Sequence, residues 1–138
     1  MVARGTRVRT LVFVGLAAVA FACLSRSVAA HHSLAAQYDP GRTITLTGKV
    51  SKFEWTNPHA RFSLDVQDSK GNVVTWDFEL ASPNTLQRAG WSRATLKEGD
   101  QITVEGSSAR NGANVGNARC VTLADGTRLL GRSTQEPN

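Results

Sequence analysis

Hydrophobic and polar residues alternate with a period of two through most of the chain, which is the pattern of half-buried β-strands. The segment RTITLTGKVSKFEW, which begins at Arg42, places Ile44, Leu46 and Val50 on one face before the alternation shifts by one position. The shift predicts a β-bulge near Ser51 and Lys52. A bulge of this kind bends a long first strand.

Four further segments have the same pattern and predict strands: RFSLDVQ, VVTWDFEL, QITVEGSSA and NARCVTL. The turn DSKGN joins the first two of them as a hairpin. ASPNTLQRAG then predicts a short helix, because Ser82 is a good N-cap, Pro83 suits the first helical position and Gly90 suits the C-terminal stop. Two alternating sets compete for the inward face of NARCVTL, so the orientation of that strand stays open.

Three strands, a helix and two strands follow one another in the order of the oligonucleotide/oligosaccharide-binding (OB) fold, a five-stranded partly open barrel. The sequence therefore predicts an all-β, OB-like antiparallel barrel over residues 42–130, with one short helix between strands 3 and 4. The residues from Thr127 onward are a candidate for one more short strand, and residues 131–138 are predicted to be a flexible tail. Another small antiparallel barrel or sandwich is the alternative, since strand order does not fix how a sheet closes.

The N-terminal segment has a different composition. Three arginines in the first ten residues precede the apolar run LVFVGLAAVAFACL, which is followed by the small residues VAA. The run is about fourteen residues long, whereas a membrane span needs roughly twenty. This layout predicts a signal peptide over residues 1–30, cut after Ala30 or after Ala29, and a periplasmic or secreted protein without a membrane span. An uncut anchor and lipoprotein processing before Cys23 are the alternatives.

Removal of the signal peptide changes the charge of the chain. The sequence has 16 Lys and Arg against 11 Asp and Glu, and four of the basic residues precede the predicted cut, so 12 remain against 11. A nearly neutral chain gives no support for a nucleic-acid partner, which usually requires a clustered basic face. Cys23 leaves with the signal peptide. Cys120 then has no intramolecular disulfide partner, and we interpret it as a small buried apolar residue.

Two of the three histidines stand together in the predicted N-terminal arm, residues 31–41. With the later cut, the amine and the imidazole of His31 chelate one metal ion in the manner of a histidine brace. With the earlier cut, the third residue is His32, whose imidazole joins the amine and two amides in the square-planar site that Cu(II) and Ni(II) favour. Both cuts predict copper as the cofactor, with His59 in WTNPHA as a third candidate ligand. The alternative is an exposed arm whose histidines have no specific function.

Other side chains are candidates for ligand contacts. Trp91 follows the helix stop and is the aromatic residue that we predict at the surface, whereas Trp55 and Trp76 fall on the inward pattern and belong to the core. Asn57 and Arg61 stand on either side of His59 and are further contact candidates.

Asp77 and Glu79 occupy the same outward side of the third strand. A carboxylate pair serves acid and base catalysis on glycosides, but neighbouring same-face positions lie about 7 Å apart in any strand. We therefore interpret the pair as part of a solvated strand face. No Ser-His-Asp set, phosphate-binding glycine loop or cysteine-rich metal spacing occurs in the sequence.

The segments AHHSLAAQYD, FEWTNPHARFSLDV, WDFELASPNTLQRAGW and LKEGDQITVEG together resemble a family of small exported bacterial proteins that carry a domain of unknown function. The family is recognisable by an HHS start and a central WTNPHA motif. The resemblance implies an exported protein with a small β domain, and it transfers no catalytic residue.

Three functions from different classes remain. The favoured one is a non-enzymatic exported module that binds copper or a similar metal through His31, His32 and His59. The second is a module that binds a peptide, a glycan or an envelope protein on its barrel face without metal, so that the partner is an envelope protein or a small ligand. The third is a small copper-dependent oxidoreductase, which is distinguished from the first by reductant-dependent oxygen consumption.

Overall fold

The computed structural model describes residues 36–132, and residues 37–132 belong to one compact unit that begins at Gln37. The predicted signal peptide, both histidines of the N-terminal arm and most of the predicted tail lie outside this range. Among residues 36–132, no helix has the length and the apolar character that crossing a membrane requires.

Strands dominate the described part of the chain, as the alternating pattern predicts. In residues 36–132 the elements are β1 (Tyr38–Glu54), β2 (Arg61–Gln67), β3 (Val73–Glu79), α1 (Pro83–Arg88), β4 (Gln101–Ala109), β5 (Val115–Thr122) and β6 (Arg128–Leu130). The mostly β class, the single short helix after the third strand and the additional strand after Thr127 are thereby confirmed. The Ser82 hydroxyl caps α1 by accepting a hydrogen bond from the Thr85 amide.

The strands close on themselves. Their order is β3-β2-β1-β4-β5-β6, and β3 also pairs with β5. Neighbouring strands in this order are antiparallel. The closing pair of β3 and β5 is parallel and joins residues 77–79 to residues 115–117. The end of β3 therefore lies where the ring of strands closes.

The long strand β1 pairs with two strands in turn. Its middle pairs with β4, and its last part pairs with β2. The register with β2 shifts between Val50 and Lys52, which confirms the predicted bulge. Gly48 allows the backbones of β1 and β2 to approach closely, because a Cβ at this position would lie 2.3 Å from the carbonyl oxygen of Asp65.

The beginning of β1 differs from the prediction. The strand starts at Tyr38, earlier than the predicted start at Arg42. Tyr38 pairs with Ala109 at the end of β4, and a register shift separates this pair from the regular ladder that begins at Thr43. The early start brings a tyrosine from the N-terminal side of the chain onto the folded domain.

A single apolar core fills the ring of strands, and its inward residues on β2 and β3 are those that the alternation predicts. Phe62 and Phe78 stack at its centre, with their ring centroids 5.2 Å apart. The buried members of the core are Val50, Trp55, Ala60, Phe62, Leu64, Phe78, Leu80, Leu86, Trp91, Leu96, Ile102, Val104, Ala118 and Val121.

The inward face of β5, which the sequence leaves open, changes along the strand. The register between β4 and β5 shifts between Glu105 and Gly106. Ala118, on one side of this shift, and Val121, on the other, both join the core. Cys120 is buried outside that cluster, where its sulfur accepts a hydrogen bond from Nε of Arg128 at 2.8 Å. The prediction of a buried Cys120 is confirmed.

Candidate functional site

A buried carboxylate marks the end of β3. Glu79 is only 7 % exposed, and it is one of two buried polar residues in the described part of the chain, with Ser108. Its Cα is paired with that of Arg61 in β2 and with that of Asn117 in β5. A buried carboxylate is unfavourable unless hydrogen-bond donors surround it, so the partners of Glu79 define the site.

Three side chains from different parts of the chain supply those partners. The hydroxyl of Tyr38 donates a hydrogen bond to Oε2 of Glu79 at 3.0 Å. Nδ1 of His59 contacts Oε1, the other oxygen of the same carboxylate. A guanidinium nitrogen of Arg61 lies 3.7 Å from Oε2, but the Arg61 side chain is 63 % exposed, so solvent screens this ion pair. Tyr38 and His59 are therefore the principal partners of Glu79.

Backbone hydrogen bonds hold each of these residues in place. Tyr38 lies at the start of β1, and next to it the Arg110 amide donates to the Gln37 carbonyl at 3.0 Å. His59 lies in the loop between β1 and β2 and follows the cis peptide bond between Asn57 and Pro58. Its neighbour Ala60 exchanges two hydrogen bonds with the chain that continues β3, at 2.9 and 3.1 Å. The site is thus built on well-anchored backbone.

The contact with Glu79 determines which nitrogen of His59 is available. An Nδ1–H that donates to a carboxylate leaves Nε2 as the nitrogen with a free lone pair. The carboxylate also fixes the orientation of the ring, as it does for histidines that bind metal ions in proteins. The His59 side chain is 36 % exposed, so part of the ring is accessible from solvent. His59 is thus oriented to bind a metal ion through Nε2.

The phenol of Tyr38 is held in its protonated form. Burial raises the pKa of Tyr38 far above its ordinary value, and the negative charge of Glu79 and the hydrogen bond to Glu79 raise the pKa further. Arg61 opposes this shift but does not cancel it. Tyr38 therefore remains a hydrogen-bond donor to Glu79 at all pH values near neutrality.

This raised pKa predicts a loss of stability at alkaline pH. Below about pH 10 the phenol is protonated in both the folded and the unfolded state, so the contribution of Tyr38 to the free energy of unfolding does not change with pH there. Above about pH 10 only the unfolded state releases the proton, and the free energy of unfolding falls by about 1.4 kcal/mol per pH unit until the raised pKa is reached. We expect Tyr38→Phe to lack this contribution, in urea unfolding curves that compare the two proteins at about pH 9 and pH 11.

The chain has one tyrosine, so the ultraviolet absorbance of tyrosinate reports on Tyr38 alone. In the folded protein this absorbance should stay absent through the range in which free tyrosine ionises. Half-ionisation near pH 10 in the folded protein would contradict the buried hydrogen bond to Glu79.

The model of a Family of unknown function (DUF6152) matches residues 18–118 of the sequence. The chain belongs to DUF6152. The matched residues include Tyr38, His59, Arg61 and Glu79, so the whole site lies in the DUF6152 region. The predicted membership of a family with a domain of unknown function is confirmed. No curated protein and no solved structure matches the chain.

The DUF6152 domain places the predicted contact residues in different surroundings. Trp91 is 3 % exposed, and its indole nitrogen donates to the Leu130 carbonyl at 2.9 Å. The prediction of a surface contact at Trp91 is therefore wrong, because the residue after the helix turns back into the core. Asn57 is exposed in the same loop as His59, and Arg61 is exposed beside Glu79. His31 and His32 lie outside the described residues.

The interpretation of Asp77 and Glu79 as a solvated pair holds for one of them. Asp77 is exposed and accepts a hydrogen bond from the Ser63 hydroxyl at 2.6 Å. Glu79 is buried under Tyr38 and His59, so its interpretation as a solvated residue is wrong. Part of the signal was in the sequence, since the short turn DSKGN sets the hairpin register that pairs Arg61 with Glu79.

The DUF6152 site differs from a complete metal centre. Within residues 36–132, no group of three or more His, Cys, Asp and Glu side chains is placed to hold a metal ion. Both oxygens of Glu79 are engaged by Tyr38 and His59. The ring nitrogen of His59 that does not contact Glu79 is Nε2.

Proposed function

We propose that this protein is an exported binding module, periplasmic or secreted, that takes up copper or a similar metal ion through His59 and the histidines of its N-terminal arm. The observation that carries the proposal is the contact between Nδ1 of His59 and the buried carboxylate of Glu79. This contact leaves Nε2 as a ready imidazole donor, and imidazole suits copper, nickel and zinc.

The remaining donors in the proposal are His31 and His32. Tyr38 is hydrogen-bonded to the carboxylate that holds His59, so the chain enters the domain beside the site. His32 precedes Tyr38 by six positions, and a chain of that length spans up to about 20 Å. His31 and His32 complete the proposed donor set, whichever of the two cuts produces the mature N-terminus.

The strand order supports an OB-like barrel as the architecture of this module. The closure of β3 on β5, the parallel sense of that pair and the helix between β3 and β4 all agree with it. OB folds bind ligands with the loops that join strands 1 to 2 and strands 4 to 5. His59 belongs to the first of these loops, and Tyr38 pairs with Ala109 at the edge of the second.

A copper titration of the exported protein tests the proposal. The full chain is expressed with its leader, the exported form is recovered, and intact mass spectrometry gives its N-terminal residue and its copper content. We expect a start at Ala30 or His31 and one copper ion per chain. His59→Ala should weaken copper binding more than tenfold, because a ligand contributes at least as much as the residue that orients it. The double variant His31→Ala/His32→Ala should do the same.

Asn57→Ala is the matched control, since Asn57 is exposed in the same loop and is not a donor in the proposed set. It should bind copper as the wild type does. Wild-type protein that retains no copper, or His59→Ala protein that binds copper equally well, would contradict the proposal. A wild-type protein that binds no copper would favour a metal-free module for a peptide, a glycan or an envelope protein. Reductant-dependent oxygen consumption by the copper-loaded protein would favour a copper-dependent oxidoreductase instead.

A further inference from the structure

The first part of β3, residues 73–76, has a neighbouring strand on one side only. β2 pairs with β3 along its whole length, whereas β5 pairs only with residues 77–79. In the described part of the chain, no strand pairs with residues 73–76 on the side away from β2. This side of residues 73–76 is the β3 edge. An unpaired edge presents backbone N–H and C=O groups to which another strand can add.

The direction of the backbone groups at the β3 edge follows from the residue next to it. The amide of Asp77 donates to the carbonyl of Asn114, just before β5, at 3.0 Å. The backbone groups of alternate residues in a strand point to the same edge. The N–H and C=O groups of Val73 and Thr75 therefore point away from β2, as those of Asp77 do.

The β3 edge lacks the features that protect strand edges, which are charged side chains, proline and bulges. Its residues are VVTW, and β-branched and aromatic residues favour strand pairing. Val73 is 60 % exposed and is one of two large hydrophobic side chains that are exposed within residues 36–132. By contrast, the first part of β1, which pairs with β4 alone, contains Pro40 and Arg42.

The β3 edge is complementary to itself. Two antiparallel copies of one strand are related by a two-fold axis, and opposite residues exchange both of their N–H···O=C bonds only if their backbone groups point to the shared edge. An axis through Val74 places Val73 of each copy opposite Thr75 of the other, which meets this condition. An axis through Thr75 would instead place Val73 opposite Asp77. The Asp77 amide is already engaged by Asn114.

The axis through Val74 also brings opposite charges together. It places Gly71 of each copy opposite Asp77 of the other, so the turn that contains Lys70 lies beside Asp77. Both Lys70 and Asp77 are exposed. Complementary charges across an interface select the partner and fix its register. The pairing of Lys70 with Asp77 occurs on both sides of the axis and favours a second copy of this chain as the occupant of the β3 edge.

We propose that two copies of this chain associate through the β3 edge, so that their sheets continue into each other across a two-fold axis at Val74. The interface is small, and the association therefore depends on protein concentration. The proposal does not rest on copper binding. His59 contacts Glu79 at the opposite end of β3 from Val73.

Sedimentation equilibrium of the exported protein, in the presence of a chelator, tests the proposal. The average mass should rise from that of one chain towards that of two as the protein concentration increases. Val73→Lys should raise the dissociation constant at least about tenfold, because it adds a charge twice to one short edge. Thr45→Lys is the matched control, since it adds the same charge to an exposed residue of β1. It should associate as the wild type does.

Exchange of the two charges tests the position of the axis. Lys70→Glu and Asp77→Lys should each raise the dissociation constant at least about threefold, because each places like charges together twice in the dimer. The double variant Lys70→Glu/Asp77→Lys should associate as the wild type does, since the charges are opposite again. Effects that arose within one copy would add in the double variant and would not cancel.

Several results would overturn the proposal, and none of them depends on the copper site. One is the mass of a single chain at every concentration. Another is a dimer that Val73→Lys leaves intact or that Thr45→Lys breaks, because such a dimer uses a different surface. A double charge variant that stays as weak as the single variants would exclude the axis at Val74.

Hydrogen exchange supplies a second readout that needs no variant. The amides of Val73 and Thr75 should become more protected as the protein concentration rises, because they are bonded only in the dimer. Protection that is already complete in the monomer would mean that another part of the same chain covers the β3 edge, and it would overturn the proposal.

Discussion

Replacement of Phe78 by alanine is expected to lower the free energy of unfolding by about 3–5 kcal/mol. Phe78 is fully buried at the centre of the core, where its ring stacks on Phe62 and lies 6.1 Å from the ring of Trp76. Gly116 in β5 leaves the space that the ring occupies, because a Cβ there would lie 2.6 Å from Cε1 of Phe78. The strands are paired around the core and cannot move in to fill the space of the deleted phenyl group, so a cavity remains.

Urea unfolding measures this loss, and Val73→Ala is the control. Val73 belongs to the same strand but is 60 % exposed, so its truncation should change the free energy of unfolding by no more than about 0.5 kcal/mol. Small domains are stable by about 5–15 kcal/mol, and Phe78→Ala therefore removes a large part of the total. A loss of free energy of unfolding below about 1 kcal/mol would mean that the strands do not close around Phe78.

The local elements of this fold could be predicted from the sequence because their signals are local. RFSLDVQ alternates cleanly and forms β2 with the predicted bounds, Arg61–Gln67. The carboxylate of Asp68 accepts hydrogen bonds from the amides of Lys70 and Asn72, which is why DSKGN turns as predicted. The bulge in β1 was visible as a shift in the alternation, since one inserted residue moves every later side chain to the other face.

Features that depend on pairing between residues far apart in the chain could not be predicted from the sequence in the same way. The first residues of β1 contain Pro40 and Gly41, and the amide of Gly41 bonds the side chain of Asp39 as in a turn. This local pattern indicates a loop, and only the pairing of Tyr38 with Ala109 makes the segment part of the sheet. The closure of β3 on β5 is likewise a contact between residues far apart in the sequence.

The candidate site shows the same limit. Asp77 and Glu79 are equivalent in the alternating pattern, because both are carboxylates on the outward side of β3. They differ only in what covers them: Asp77 faces Ser63 at the surface, whereas Glu79 lies under a tyrosine and a histidine that are distant in sequence. Alternation predicts the face of a side chain, but it carries no information on which loops fold over that face.

Replacement of Glu79 by glutamine should affect both the copper affinity and the stability of the protein. Glutamine keeps the shape of the side chain and removes its charge, so the charge-assisted hydrogen bonds to Tyr38 and His59 are lost. Hydrogen bonds to charged groups contribute about 1.5–3 kcal/mol, and we expect the free energy of unfolding to fall by about that amount. Copper binding should weaken by up to about 100-fold, because the glutamine no longer holds the Nδ1–H of His59 as a carboxylate does.

Asp77→Asn is the control for this prediction, since it makes the same chemical change two positions earlier on the same side of β3, at an exposed site. It should leave copper affinity unchanged and alter the free energy of unfolding by no more than about 0.5 kcal/mol. Nitrogen NMR of the histidine ring separates positioning from stability. In the wild type the proton of His59 should reside on Nδ1, which donates a hydrogen bond to Glu79. Glu79→Gln should reduce the preference for Nδ1 in protein that is still folded. If Glu79→Gln loses stability but keeps both the proton on Nδ1 and the copper affinity, the carboxylate stabilises the fold and does not prepare His59 as a ligand.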